Sequence, residues 1–101
     1  MKVVINTCFG GFGVSENFFK EYNIPYKKTR YGSIYPTTEI DFRTDPRLIE
    51  YIEKYGSEKA SGSYSRLIVE EIPKGVYFMI DEYDGNESIM YRDDMPWILS
   101  T

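Results

Sequence analysis

The 101-residue chain is 42% apolar and 17% aromatic, with ten tyrosines, one cysteine, no histidine and a formal charge of -4. That length fits one modest core, so residues 1–101 are expected to form a single domain, and the composition is neither disordered nor membrane-like. One thiol excludes an internal disulfide, and the missing imidazole excludes Ser-His and Cys-His nucleophile pairs and the usual zinc sets.

Residues 2–8 contain the continuous apolar run Val3-Val4-Ile5, the pattern of a strand covered on both faces. No charged region, apolar stretch and cleavage site precedes it, and no apolar run approaches 18 residues, so a cytoplasmic protein without a membrane span is expected. Gly10-Gly11-Phe12-Gly13 then interrupts the pattern. Ser15 is a good N-cap for a helix over residues 16–22, with Glu16 at the positive end of its dipole and Phe18, Phe19 and Tyr22 on one face. Pro25 closes it.

Residues 26–38 mix Lys27, Lys28, Arg30, Gly32 and Pro36 with Tyr26, Tyr31, Ile34 and Tyr35, and read as a loop with edge-strand character. Residues 38–43 alternate Ile40 and Phe42 against Glu39, Asp41 and Arg43, which predicts a half-exposed strand. Asp45 then caps a second helix with Pro46 in its first position, a stripe of Leu48, Ile49, Ile52 and Tyr55, and Gly56 at its end. Residues 57–65 are a polar connector. Strands are expected over 66–72, 76–83 and 87–91, the last two joined at Asp84-Gly85, a dipeptide suited to the positive φ angles of a type I′ turn. Trp97 in the tail is expected to close an open edge of the core. Together these elements predict an α+β fold: a mixed or antiparallel sheet of roughly five strands with two helices packed on it.

The order strand, glycines, capped helix is one that brings backbone amides to a phosphate. The spacing matches neither GxGxxG nor GxxxxGK[ST], and on motif grounds alone a purely structural turn is the stronger reading. Residues 1–35 hold five basic and two acidic side chains, whereas the remainder holds seven and fourteen, a division that attracts a small anion to the front half and repels long nucleic acid. A ligand site is therefore expected at Asn6, Cys8, Phe9, Gly10, Gly11, Phe12, Gly13 and Ser15, with Lys27, Lys28 or Arg30 adding charge. Phe9, Phe12 and Tyr31 or Tyr35 would stack on a base. Cys8 packs as a small apolar residue rather than acting as a nucleophile, because no proton shuttle accompanies it. Asp81, Glu82, Asp84 and Glu87 alternate across a hairpin, so they make a solvated rim rather than a metal site.

In sequence order, Ile5-Asn6, Cys8, residues 10–13, Ser15, Asp45-Pro46, residues 62–67, Glu71-Ile72-Pro73 and Glu82-Tyr83-Asp84-Gly85 make a pattern. It resembles a group of small bacteriophage and prophage proteins with an INxCxGGFGxS opening, a DP helix start, EIP and EYDG. The likeness runs through nearly the whole chain. Members often carry a histidine-arginine segment near the end, where this chain has Met90-Tyr91-Arg92-Asp93-Asp94, so no role for that histidine transfers. The resemblance implies a phage accessory protein in the bacterial cytoplasm, of the kind that blunts host defence by sequestering a nucleotide signal or blocking a host protein. The resulting expectation is a non-enzymatic, self-associating protein without cofactor or metal that holds a small anionic ligand such as a cyclic nucleotide. Two alternatives stand beside it: an inhibitor that offers its acidic surface to a host defence protein such as a nuclease, and a small hydrolase.

Overall fold

A computed structural model describes residues 1–92 and 98–101. The expected role of Trp97, and the acidic pair Asp93-Asp94, lie outside the described residues. The fold is α+β. Strand β1 (Lys2–Asn6) leads to helix α1 (Glu16–Glu21), then to a small hairpin of β2 (Tyr26–Lys28) and β3 (Ile34–Pro36). Helices α2 (Pro46–Tyr55) and α3 (Ser57–Ala60) follow, and then strands β4 (Leu67–Glu71), β5 (Tyr77–Tyr83), β6 (Asn86–Arg92) and β7 (Ile98–Leu99). In place of one five-stranded sheet, the described strands form three small antiparallel sheets: β1 with β4, β2 with β3, and β6-β5-β7.

The apolar run in β1 is buried on both faces because the β1-β4 ribbon is the middle layer of three. Val4 faces the helices with Val14, Phe18, Phe19, Leu48, Tyr51 and Leu67. Val3 and Ile5 face the other way, onto Ile72 and Phe78. Strand alternation therefore feeds two cores from three consecutive residues. In the helical core, the Phe18 ring meets those of Phe19, Phe42 and Tyr51 edge-on at 5.5–5.9 Å, a favoured aromatic geometry.

The caps behave as their chemistry requires. Ser15 Oγ accepts from Phe18 N at 3.4 Å, and Asp45 accepts from Arg47 N at 2.9 Å. Gly56 ends α2 at φ 90° and leads directly into α3, a turn of helix within the stretch expected to be a connector. Asp84 and Gly85 both take positive φ between the paired residues Tyr83 and Asn86, as a two-residue primed hairpin turn demands.

One expected strand is absent. Residues 38–43 alternate because Ile40 and Phe42 pack against the helical core, not because the segment pairs with a neighbour. Asp41 Oδ1 accepts from Arg43 N at 3.1 Å, bending the chain, and the segment touches β1 at one point: Val4 N donates to Arg43 O at 2.7 Å.

That crossing belongs to a polar cluster that completes the outer edge of β1. Arg43 Nη1 donates to Val4 O at 3.3 Å and to Glu87 Oε1 at 2.9 Å, and Nη2 reaches Glu87 Oε2. Glu87 Oε1 also accepts from Asn6 N at 2.8 Å. The buried Asn6 side chain donates to Cys8 O (2.8 Å) and Gly85 O (2.7 Å) and accepts from Arg66 N (2.8 Å). Burial pushes the Glu87 carboxyl up, but the Arg43 and Asn6 hydrogen bonds and the Arg43 charge outweigh it, and its pKa lies below the ordinary value. Glu87→Gln keeps an amide oxygen for Asn6 but removes the charge facing Arg43, and is expected to cost about 2 kcal/mol at pH 7. A depressed pKa contributes stability that is complete above the unfolded glutamate value, about pH 4.3, and is lost as pH falls through the folded one. Denaturant titrations at descending pH should therefore show wild type and variant converging in acid.

Candidate functional site

The glycine turn after β1 lies between two other loops, and close backbone approach explains its Gly10 and the facing Gly85. A Cβ on Gly10 would drive into the carbonyl of Tyr64, and one on Gly85, in the β5-β6 turn, would lie 2.5 Å from Gly11 N. Gly13 and Gly62 lie in ordinary contact, where a Cβ on either would meet its nearest atom at 3.4 Å, and Gly62 N donates to Gly13 O at 2.9 Å beside the bridge of Val14 and Ser61. Gly11 differs, since its Cβ position faces open space and only its φ of 90° calls for glycine.

Beside this turn opens a cleft of about 390 Å³. Residues 10–16 form one wall, Lys28 and residues 31–35 of the β2-β3 hairpin a second, and residues 61–65 a third. Phe12 lines it, with the Arg43 guanidinium 4.9 Å from its ring centroid. Tyr31 and Tyr35 are 83% and 57% exposed, so their rings are available to a ligand.

The polar groups of the cleft divide into committed and uncommitted ones. Ser15 Oγ donates to Lys59 O, Ser61 Oγ to Ser57 O, and Ser65 Oγ to Gly13 O, at 2.6, 2.6 and 2.7 Å. Among the described residues, the hydroxyls of Ser33 and Ser63 and the amides of Gly11, Phe12, Gly13, Ser63 and Tyr64 have no protein partner. Among the described residues the lining holds one cation, Lys28, whose Nζ is 3.5 Å from Glu16 Oε1. Glu16 Oε2 accepts from Tyr26 OH at 2.7 Å. That hydrogen bond, opposed by burial and helped by Lys28 and Lys20, lowers the Glu16 pKa, and the same bond raises that of Tyr26.

Of the residues expected at the site, the cleft brings together Gly10, Gly11, Phe12, Gly13, Ser15, Lys28, Tyr31 and Tyr35. Asn6 lies elsewhere, its side chain fully engaged with Cys8, Gly85 and Arg66. Cys8 is outside the lining, its carbonyl held by Asn6 and by Gly10 N. Phe9 is exposed on the turn, Lys27 is outside the lining, and the Arg30 guanidinium lies 5.3 Å from the Tyr31 ring centroid. Sequence reasoning did not place residues 61–65 here, since a short polar connector carries no mark of its partner. It assigned Glu16 to the helix dipole alone.

The acidic residues of the hairpin do not converge. Glu87 turns to Arg43, and Glu82 accepts from Gly85 N at 2.6 Å. Among the described residues no group of three or more Cys, Asp or Glu side chains could hold a metal ion, and no helix is long and apolar enough to cross a membrane. No protein-family model, curated protein or solved structure matches the chain.

The two kinds of glycine are separable by experiment. Gly11→Ala meets only backbone strain and should cost about 1–2 kcal/mol. Gly10→Ala must displace the Tyr64 backbone and should cost about 3 kcal/mol, the upper range for overpacking. Thermal denaturation of the two variants measures the order.

Proposed function

We propose that the chain is a phage-encoded accessory protein that binds a small nucleotide in this cleft and withholds it without turning it over. The observation that carries the reading is the meeting of the glycine turn, the exposed rings of Tyr31 and Tyr35, and the uncommitted amides of residues 11–13 and 63–64 around one 390 Å³ space. A base stacks on tyrosine through its π-face, and backbone amides with the Ser63 hydroxyl and Lys28 receive phosphate oxygens. Retention without turnover is supported by the side chains present: the chain has no histidine, Cys8 does not line the cleft, and Glu16, its pKa lowered by the Tyr26 hydrogen bond, is not a general acid. The phage setting and a role against host defence rest on the resemblance of the INTCFGGFGVS opening and the EYDG turn.

The test is to purify the protein from cells in which a nucleotide-signalling defence is active, heat it, and identify released molecules by mass spectrometry, with a thermal-shift panel of cyclic and linear nucleotides alongside. An intact nucleotide is the expected product, and a cleaved one would turn the reading toward a hydrolase. Tyr35→Ala, at an exposed position, should weaken binding about ten- to a hundredfold, the worth of one stacked base, with no loss of folding.

A second reading draws on the β6-β5-β7 sheet. Met79 and Met90 pair directly across its outer face, 44% and 46% exposed, beside the exposed Leu99. Asp81, Glu82 and Asp84 are exposed toward the turn. Methionines suit adaptable protein contacts, and the acidic end complements a basic, nucleic-acid-binding face of a host protein. The paired reversal Asp81→Lys with Asp84→Lys distinguishes the two readings. It leaves nucleotide affinity within about twofold if the cleft is the functional site, whereas inhibition of a host nuclease that vanishes with the reversal identifies the sheet as the working surface.

A further inference from the structure

Glu16 gives the cleft a chemical preference that the nucleotide reading alone does not contain. Its side chain is 30% exposed on the cleft wall, with Oε2 bound to the Tyr26 hydroxyl at 2.7 Å and Oε1 at 3.5 Å from Lys28 Nζ, the long limit of a hydrogen bond. An ionised carboxylate has about four acceptor sites, so about half remain open here, and it has no donor to offer. Phosphate is repelled by this group. A planar pair of N–H donors is attracted by it.

Among the common bases, guanine presents N1–H and N2–H₂ side by side on its Watson–Crick edge. Adenine presents one donor, the N6 amino group, next to the acceptor N1, which would meet a carboxylate lone pair. A site built around one hydrogen-bond pattern rejects an analogue that leaves its groups unmatched. We propose that Glu16 makes the cleft selective for a guanine-type edge, two adjacent N–H donors, with the base stacked on Tyr31 or Tyr35. The phosphate then lies toward residues 11–13 and 63–64, away from the carboxylate. Lys28 Nζ, 3.5 Å from Glu16 Oε1, can leave the carboxylate for a phosphate oxygen.

This inference rests on nucleotide binding in the cleft, and the experiment separates the two. Calorimetric titration uses cyclic GMP, cyclic AMP and cyclic IMP, the last keeping N1–H but lacking the N2 amino group. The expected order is guanine, hypoxanthine, adenine, with about tenfold or more between the first and last. Glu16→Gln, whose amide offers one donor and one acceptor, should weaken guanine binding and strengthen adenine binding, so that the order levels or inverts. Tyr26→Phe leaves the carboxylate in place and should keep the wild-type order. Near-UV circular dichroism checks that both variants fold. Equal binding of guanine and adenine nucleotides, both weakened by Tyr35→Ala, would overturn the inference while leaving the nucleotide reading standing. A guanine preference that survives in Glu16→Gln would also overturn it. Failure of every nucleotide to bind would overturn both.

Discussion

The outer edge of β1 has to be satisfied without a third strand, and the arrangement of the layers follows from how that is done. A two-stranded ribbon between two cores exposes N–H and C=O groups on its free edge in a place where water cannot serve them all. Arg43 supplies a carbonyl to Val4 N and a guanidinium to Val4 O, and Glu87 supplies a carboxylate to Asn6 N. The Arg43–Glu87 pair then balances the two charges this brings inside. A buried ion pair is weak evidence of stability by itself, because desolvation offsets much of its attraction. Here its structural importance lies in the backbone groups it completes.

Three distant parts of the sequence are brought together by this one edge: residues 4–6, Arg43 and residues 85–87. The hairpin end of β5-β6 is drawn against β1, which places Gly85 on Gly10 and Gly11. Arg43, fixed by Glu87, lies over the Phe12 ring at the cleft wall. On the other side Gly10 and Gly13 meet Tyr64 and Gly62. The glycine turn is thus the middle of three stacked loops, and packing alone accounts for Gly10 and Gly85. Those glycines carry little information about a ligand. The case for binding rests instead on groups that packing does not explain: the exposed Tyr31 and Tyr35 rings, the unpaired amides, and a carboxylate set into the wall.

Features whose cause is local were legible in the sequence. The Asp45-Pro46 start and Gly56 stop of α2, the Ser15 cap and the Asp84-Gly85 turn each depend on residues a few positions apart, and each formed. The Val3-Val4-Ile5 run announced burial on both faces, which depends only on alternation. What was hidden depends on partners far away. Ile40 and Phe42 alternate as a strand would, but alternation reports which side chains are buried and not whether the backbone between them finds a neighbour. Glu87 resembles the other hairpin acids in composition, and only its register opposite the edge of β1 makes it buried. Residues 61–65 likewise reach the cleft through the bridge between Val14 and Ser61, a contact between segments almost fifty positions apart.

Charge shows the same separation between count and place. The excess of basic residues in the first 35 positions suggests a cationic site, yet Lys27 is outside the lining, Arg30 lies on Tyr31, and Lys28 shares its charge with Glu16. Formal charge in the lining therefore nearly cancels, and a polyphosphate would find one half-committed lysine. Uncharged backbone amides remain the main donors, and amides stabilise an anion by orientation and not by net charge. For the proposed nucleotide this balance favours a compact ligand with one or two phosphates, whose polar edge is read at Glu16 and whose charge is spread over the amides of residues 11–13 and 63–64. A cyclic nucleotide meets the charge condition, because ring closure turns a phosphate monoester dianion into a diester monoanion.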